Sequence, residues 1–209
     1  MAQIKDGLFG GFSGKIGNVV GCKGKNGFYV RSLPSHVSNP RTELQQAQRR
    51  RFSLAMQLAR ALTPFLHISY REFAGAKKPF HAAVSSIMQN AVVQVEADYA
   101  IDFNKVLVSR GSLTAIRRAK AFREKNAIGY TWEDNSGEGN AAATDVALLL
   151  VFNKTRWMAI YSDAVAQRYD GKAKLSIPID WIDDSLVVYL GFRSLNGGTV
   201  ANSVCLLDY

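Results

Sequence analysis

Apolar residues recur with a period near 3.6 between about residues 42 and 96, then with a period of two from about residue 105 onward. In the first stretch, Leu44, Ala47, Leu54, Ala55, Leu58, Ala59 and Leu62 fall on one side of a helical wheel. Gln46, Arg49, Ser53, Gln57 and Arg60 fall on the other. Thr42 with Gln45 three residues later fits a capping box, Pro40 lies just outside it, and Pro64 closes the predicted helix. A second helix is predicted from Pro79 to Glu96, because Phe80, Ala83, Val84, Ile87, Ala91 and Val95 keep the i, i+3, i+4, i+7 spacing. Two such amphipathic helices are expected to pack against each other.

The alternating region yields seven strands: "KVLVSRGSL" (105–113), "AIGYTW" (127–132), "VALLLVFN" (146–153), "RWMAIYS" (156–162), "KAKLSIP" (172–178), "SLVVYLGFRS" (185–194) and "TVANSVCLL" (199–207). "EDNSGEGNAAATD" reads as a loop. Short strands at this spacing, separated by turn residues, predict a β-sandwich. At the amino end, eight of the 17 glycines lie within the first 27 residues. Each would cost a helix about 1 kcal/mol relative to Ala, so strands and turns fit better. The segment reads as strand 15–22, a turn at "KGKNG" with Asn26-Gly27 as the turn pair, and strand 28–33 ended by Pro34. The predicted fold class is therefore α+β: a Gly-rich β-hairpin and two packed helices (1–104), followed by an all-β sandwich (105–209).

Charge adds a second division. The chain carries +9 overall, and residues 1–71 hold eleven of the Lys and Arg residues against Asp6 and Glu43, which accounts for all of that excess. Lys15, Lys23, Lys25 and Arg31 lie on or beside the hairpin, while Arg41, Arg49 and Arg50 lie at the helix start. Cations near a helix N-terminus oppose its dipole by roughly 0.3–1 kcal/mol each, which carboxylates or phosphates on a partner would offset. These seven residues are the candidate site for an anionic partner. The plain alternative is a solvated face that keeps the protein soluble. Arg51 differs from its neighbours, because it falls near the centre of the apolar stripe. It therefore needs a carboxylate or several backbone carbonyls as partners, with its stem lying along the stripe, or it covers another subunit.

The sequence offers no reaction. "GGFSGKIG" departs from a phosphate-binding loop in its spacing, in placing Ile16 where a Ser or Thr would hold Mg²⁺, and in having no helix after it. His36, His67 and His81 share no metal-ligand spacing, and Ser13 has no His-Asp partner. Asp180, Asp183 and Asp184 fit a solvated turn better than a cation loop. Cys22 and Cys205 are expected as reduced thiols. No apolar run approaches the roughly 20 residues of a membrane span, and "MAQIKDGLFGGFSGK" does not read as a signal peptide. The expected location is a cytoplasm or a particle assembled there.

Residues 105–209 resemble a fibronectin type III-like or immunoglobulin-like sandwich. The resemblance rests on Trp132 in the second strand and on "SLVVYLGFRSLNGGTVANSV"; Tyr189 departs from the family's corner tyrosine. The whole chain is similar to an uncharacterised family from Bacteroidota, a domain of unknown function, through "GGFSGKIGNVVG", "VRSLPSHVSNPRTELQQAQRRRF", "VLVSRGSL", "TWEDNSGEGNAAATD" and "VYLGFRSLNGGTVANSV". The hairpin with "NPRT…Q…R…F" is also similar to short segments of phage or prophage structural proteins. The resemblances imply no activity and lean toward particle assembly. The expectation is a non-enzymatic structural or interaction protein that engages protein partners or self-assembles in a phage-like or surface assembly. It would use no cofactor, no metal, no membrane and no evident small-molecule substrate. The alternative is a nucleic-acid-binding protein using the basic region, with Phe28 and Tyr29 as stacking aromatics.

Overall fold

Glycine punctuates the amino-terminal segment often enough to fold it into an antiparallel meander. The computed structural model describes residues 3–4, 11–36, 39, 41–75, 77–96 and 98–208. The chain divides into two compact units, Met1–Thr42 and Glu43–Tyr209. In the first, β1 (Gln3–Ile4), β2 (Phe12–Ile16), β3 (Val19–Gly24) and β4 (Gly27–Ser32) form one sheet in chain order. The expected single strand 15–22 is split. Ile16 pairs with Val19 across a two-residue turn at Gly17-Asn18, where Gly17 takes the left-handed φ of 53°. The second turn is Lys25-Asn26 rather than Asn26-Gly27, since Gly24 pairs with Gly27.

The second unit begins with α1 (Glu43–Ala61), α2 (Thr63–Ser69), α3 (Arg71–Ala74) and α4 (Pro79–Asn90). Pro64 does not end the helical region. It sits in the first turn of α2, where its missing N–H is no loss, and the Thr63 hydroxyl bonds the Ala59 and Arg60 carbonyls at the end of α1. α4 stops at Asn90, short of the expected Glu96. The β-branched run after it instead pairs as a hairpin, β5 (Val92–Val95) with β6 (Asp98–Ile101). Then follow β7 (Arg117–Glu124), β8 (Ala127–Glu133), β9 (Val146–Asn153), β10 (Met158–Ser162), β11 (Lys172–Ser176), β12 (Leu186–Arg193) and β13 (Val204–Asp208). They form two sheets, β10-β9-β12-β13 and β11-β8-β7.

Every residue of β9 is buried, and so is every residue of β12 except Arg193. A strand with one wet face alternates, so an unbroken apolar run needs cover on both sides. Leu148, Leu150 and Phe152 of β9, with Val187 and Tyr189 of β12, share a core with Ala55, Leu58, Leu62, Phe65, Leu66, Ala83 and Ile87 of the helices. The alternate residues Ala147, Leu149, Val151, Leu186, Val188, Leu190 and Phe192 share another with Ile128, Tyr130 and Trp132 of β8. The unit is thus three layers: helices, a four-stranded sheet, a three-stranded sheet. The expected boundary at residue 105 falls inside this unit, because the helices are the outer cover of β9 and β12.

Residues 105–113 are not a strand. Lys105 closes a short 3₁₀ turn (Phe103–Lys105), and side chains satisfy much of the backbone after it. The Val108 and Ser109 N–H groups both donate to Ser203 Oγ (2.8 and 3.2 Å), while Ser69 Oγ and Tyr70 Oη donate to the Val108 and Leu107 carbonyls (2.6 and 2.7 Å). The first sandwich strand is instead the charged "RRAKAFRE" of β7. It is an edge strand whose partly buried Ala119 and Ala121 pack against the second core while Arg and Lys stay in solvent, a pattern that discourages edge-to-edge pairing.

The largest fully buried side chain is an arginine, Arg168, at 0% exposure. Its Nε donates to Asp145 Oδ2 (3.1 Å), Nη1 to Asn135 Oδ1 (2.6 Å) and Nη2 to the Thr114 carbonyl (3.2 Å), and the guanidinium lies 4.3 Å from the Phe192 ring centroid. The Arg168 carbonyl in turn accepts from Trp132 Nε1 at 2.7 Å. Arg168 thus ties the 134–145 loop to both sheets.

Two outcomes follow from this packing. Residues 43–209 will melt in one cooperative transition by circular dichroism. Residues 105–209 alone will show no cooperative transition, since they expose the outer face of β9 and β12; a sharp melt of that fragment would refute the three-layer account. Arg168→Met will lower stability by about 3–5 kcal/mol in urea unfolding, because it leaves Asp145 buried without its cation. Adding Asp145→Asn will restore part of the loss, and strict additivity would show the pair to be uncoupled.

Candidate functional site

Directly paired residues of neighbouring strands project from the same face, and successive residues from opposite faces. The register of the meander therefore sorts its side chains. Lys15 pairs with Val20, which pairs with Arg31, so the two cations share one face with Cys22 and Tyr29. Ile16, Val19, Gly21, Lys23, Phe28 and Val30 share the other. A Cβ on Gly21 would collide with the Phe12 backbone and ring, so glycine is what lets that aromatic lie flat across the sheet.

Apart from the Phe12 ring over Gly21, the apolar face is half-exposed among the described residues: Ile16 is 43% exposed, Phe28 51% and Val30 56%. Lys23 Nζ stands 5.6 Å from the Phe28 ring centroid on that face. All six residues of β4 are exposed, and among the described residues β4 is an edge of the sheet, paired to β3 alone. Residues 11–42 hold five cations and no acid. The unit is thus a small basic sheet with an apolar face and an open edge. Its Gly14, Lys15 and Ile16 are part of strand β2, which removes any reading of "GGFSGKIG" as a nucleotide loop.

Of the seven candidate residues, the structure brings Lys15 and Arg31 together on one face, puts Lys23 on the other and Lys25 in the tip turn. Arg41 lies near the end of the first unit, and Arg49 and Arg50 belong to α1 of the second. Arg50 Nη1 is 4.0 Å from Asp98, with both side chains largely in solvent. Arg51 is half-buried, as the wheel requires. Its Nη2 donates to the Met88 carbonyl in the last turn of α4 (3.4 Å), and its guanidinium lies 5.8 Å from the Tyr99 ring. A cation at a helix C-terminus is electrostatically favourable, so Arg51 stabilises α4 across the interface with α1.

The acidic turn at 180–184 is held by arginines. Arg156 pairs with Asp184 (2.6 Å) and Asp180 (2.8 Å), Asn153 donates to Asp184 at 2.7 Å, and Arg123 bonds the Trp181 and Asp184 carbonyls. The Asn153 amide and the Arg156 guanidinium hold the Asp184 carboxyl below its ordinary value. Among the described residues no group of His, Cys, Asp and Glu is arranged to hold a metal ion, and no helix is long and apolar enough to cross a membrane. His36, His67 and His81 are exposed and separate.

Arg51→Ala will destabilise the protein by more than about 1 kcal/mol in chemical denaturation. Arg50→Ala will stay within about 0.5 kcal/mol, as surface ion pairs do. Equal effects would mean that the Met88 contact carries no weight.

A family of unknown function (DUF6266) matches residues 11–207, and the chain belongs to that family. No curated protein matches the sequence.

Proposed function

We propose that the protein is a non-enzymatic interaction protein whose amino-terminal meander docks an acidic protein partner by strand addition at β4. The observation that carries this reading is the fully exposed edge of β4, on a sheet with an apolar face and no acidic residue between positions 11 and 42. An open edge offers unpaired backbone N–H and C=O groups, and a strand added there gains a ladder of hydrogen bonds. A second copy of the meander brings like charge, so a partner with carboxylates flanking β4 fits better.

The sandwich serves as the mount. Counted from β7, its seven strands pair 1-2-5 and 4-3-6-7. That order supports the fibronectin type III-like assignment, from which the helical layer on one outer face is a departure. Similarity to Bacteroidota sequences and to phage structural segments supports a place in a particle or surface assembly. Nucleic acid is the second reading, favoured by the exposed Phe28 and Tyr29 among the cations.

The test is binding measured by fluorescence anisotropy with two probes, an extended peptide of alternating Val and Asp and a 20-mer duplex DNA. Strand addition requires that the peptide protect the β4 amides from hydrogen exchange, and that Lys15→Glu with Arg31→Glu weaken it about tenfold. DNA binding that exceeds the peptide's, with a log–log salt slope near −0.9 per phosphate contact, would establish the nucleic-acid reading instead. No protection of β4 by the peptide would end the docking proposal.

A further inference from the structure

The helical layer contains a cleft of about 280 Å³ lined by Phe73, Ala74, Lys77, Ala82, Ser85, Ser86, Gln89 and Arg110. Two of these residues are cations, and no carboxylate is among them. Arg110 is held in place on two sides. Its guanidinium lies 4.0 Å from the Phe73 ring centroid, and Nη1 donates to Ser86 Oγ (3.3 Å), on a residue that is only 4% exposed. Among the described residues no other hydrogen bond or ion pair to this guanidinium forms.

The carboxylate adjacent in sequence to this cleft is already committed. Glu72, beside Phe73 on α3, accepts from the Ser112 N–H (3.2 Å), the Ser112 hydroxyl (2.5 Å) and the Val200 N–H (2.8 Å). Burial alone would raise its carboxyl, but the Ser112 hydroxyl and the Val200 and Ser112 amides hold it below its ordinary value. Glu72 is therefore an anion bound to the loops around 112 and 200, and it forms no pair with Arg110 or Lys77.

We propose that this cleft binds the phosphate group of a small phosphate monoester. An arginine fixed by stacking keeps its remaining N–H groups pre-aimed, which lowers the entropy lost on binding. The two positive charges match a phosphate monoester, which carries about −1.5 to −2 at neutral pH. Ser85 and Gln89 add neutral donors, and Ala74, Ala82 and the edge of Phe73 provide apolar wall for a compact organic body. The volume lies just below the roughly 300 Å³ at which pockets for larger ligands begin. The proposal does not depend on the docking role of the meander.

The experiment is isothermal titration of the full chain with phenyl phosphate and with inorganic phosphate at fixed ionic strength, against sodium chloride as control. Phenyl phosphate is expected to bind with one site per chain and more tightly than inorganic phosphate. Lys77→Gln, an exposed position, is expected to weaken it about tenfold, and Arg110→Gln to weaken it further, the scale of lost charged hydrogen bonds. Heats equal to the chloride control, or unchanged affinity in Lys77→Gln, would overturn the proposal.

Discussion

A guanidinium buried out of reach of water must have its charge answered and its N–H groups bonded, and at Arg168 the fold is arranged to do both. Asp145 supplies the charge, Asn135 and Thr114 supply oxygens from separate segments, and Phe192 supplies a π face. The partners come from three stretches of chain, with Asn135 and Asp145 at the two ends of one loop, so satisfying one side chain fixes the approach to β7, the long 134–145 loop and the rim of both sheets. Hydrophobic burial is non-directional. It packs β8 against β9 and β12 but does not choose the loop's path. The ion pair chooses it, because any other path leaves a buried charge alone.

Much of the architecture was legible in the sequence where the signal was apolar. α1 starts and ends close to the limits that the wheel and the proline set, and six of the seven predicted strands overlap observed ones. "VALLLVFN" held more than its strand assignment, since seven successive apolar residues without a polar alternate imply cover on both faces. That cover is the helical layer, so one of the two cores draws residues from both sides of position 105. The failures share a cause. "RRAKAFRE" is a strand whose inward residues are alanines, too small to mark a face amid five charges. "KVLVSRGSL" looks like a strand because Val106 and Val108 are buried, yet its backbone partners are side chains remote in sequence.

The candidate sites divide in the same way. A basic amino-terminal third is visible by counting, and the half-buried position of Arg51 is visible from a helical wheel. The sorting of Lys15 and Arg31 from Lys23 needed the strand register, which a misplaced turn had obscured. The Arg110 cleft was invisible, because its residues come from three segments that only the fold assembles, and Arg110 stands apart in sequence from the Lys77-Lys78 pair. Their meaning lies in the acid that is absent between them and in the diversion of Glu72 to other donors.

The serine contacts of residues 107–109 bear on how the protein is made. Val108 waits for a hydroxyl 95 positions further along the chain, and the Glu72 carboxylate for an amide 128 positions away. During synthesis at about 5–20 residues per second, the helices and the first five sandwich strands emerge well before either partner exists. Until then the Val108 and Ser109 amides of the connector between the helical layer and the sandwich have water as their partner. Both contacts therefore close late in folding, and they latch the connector onto strands that are already made.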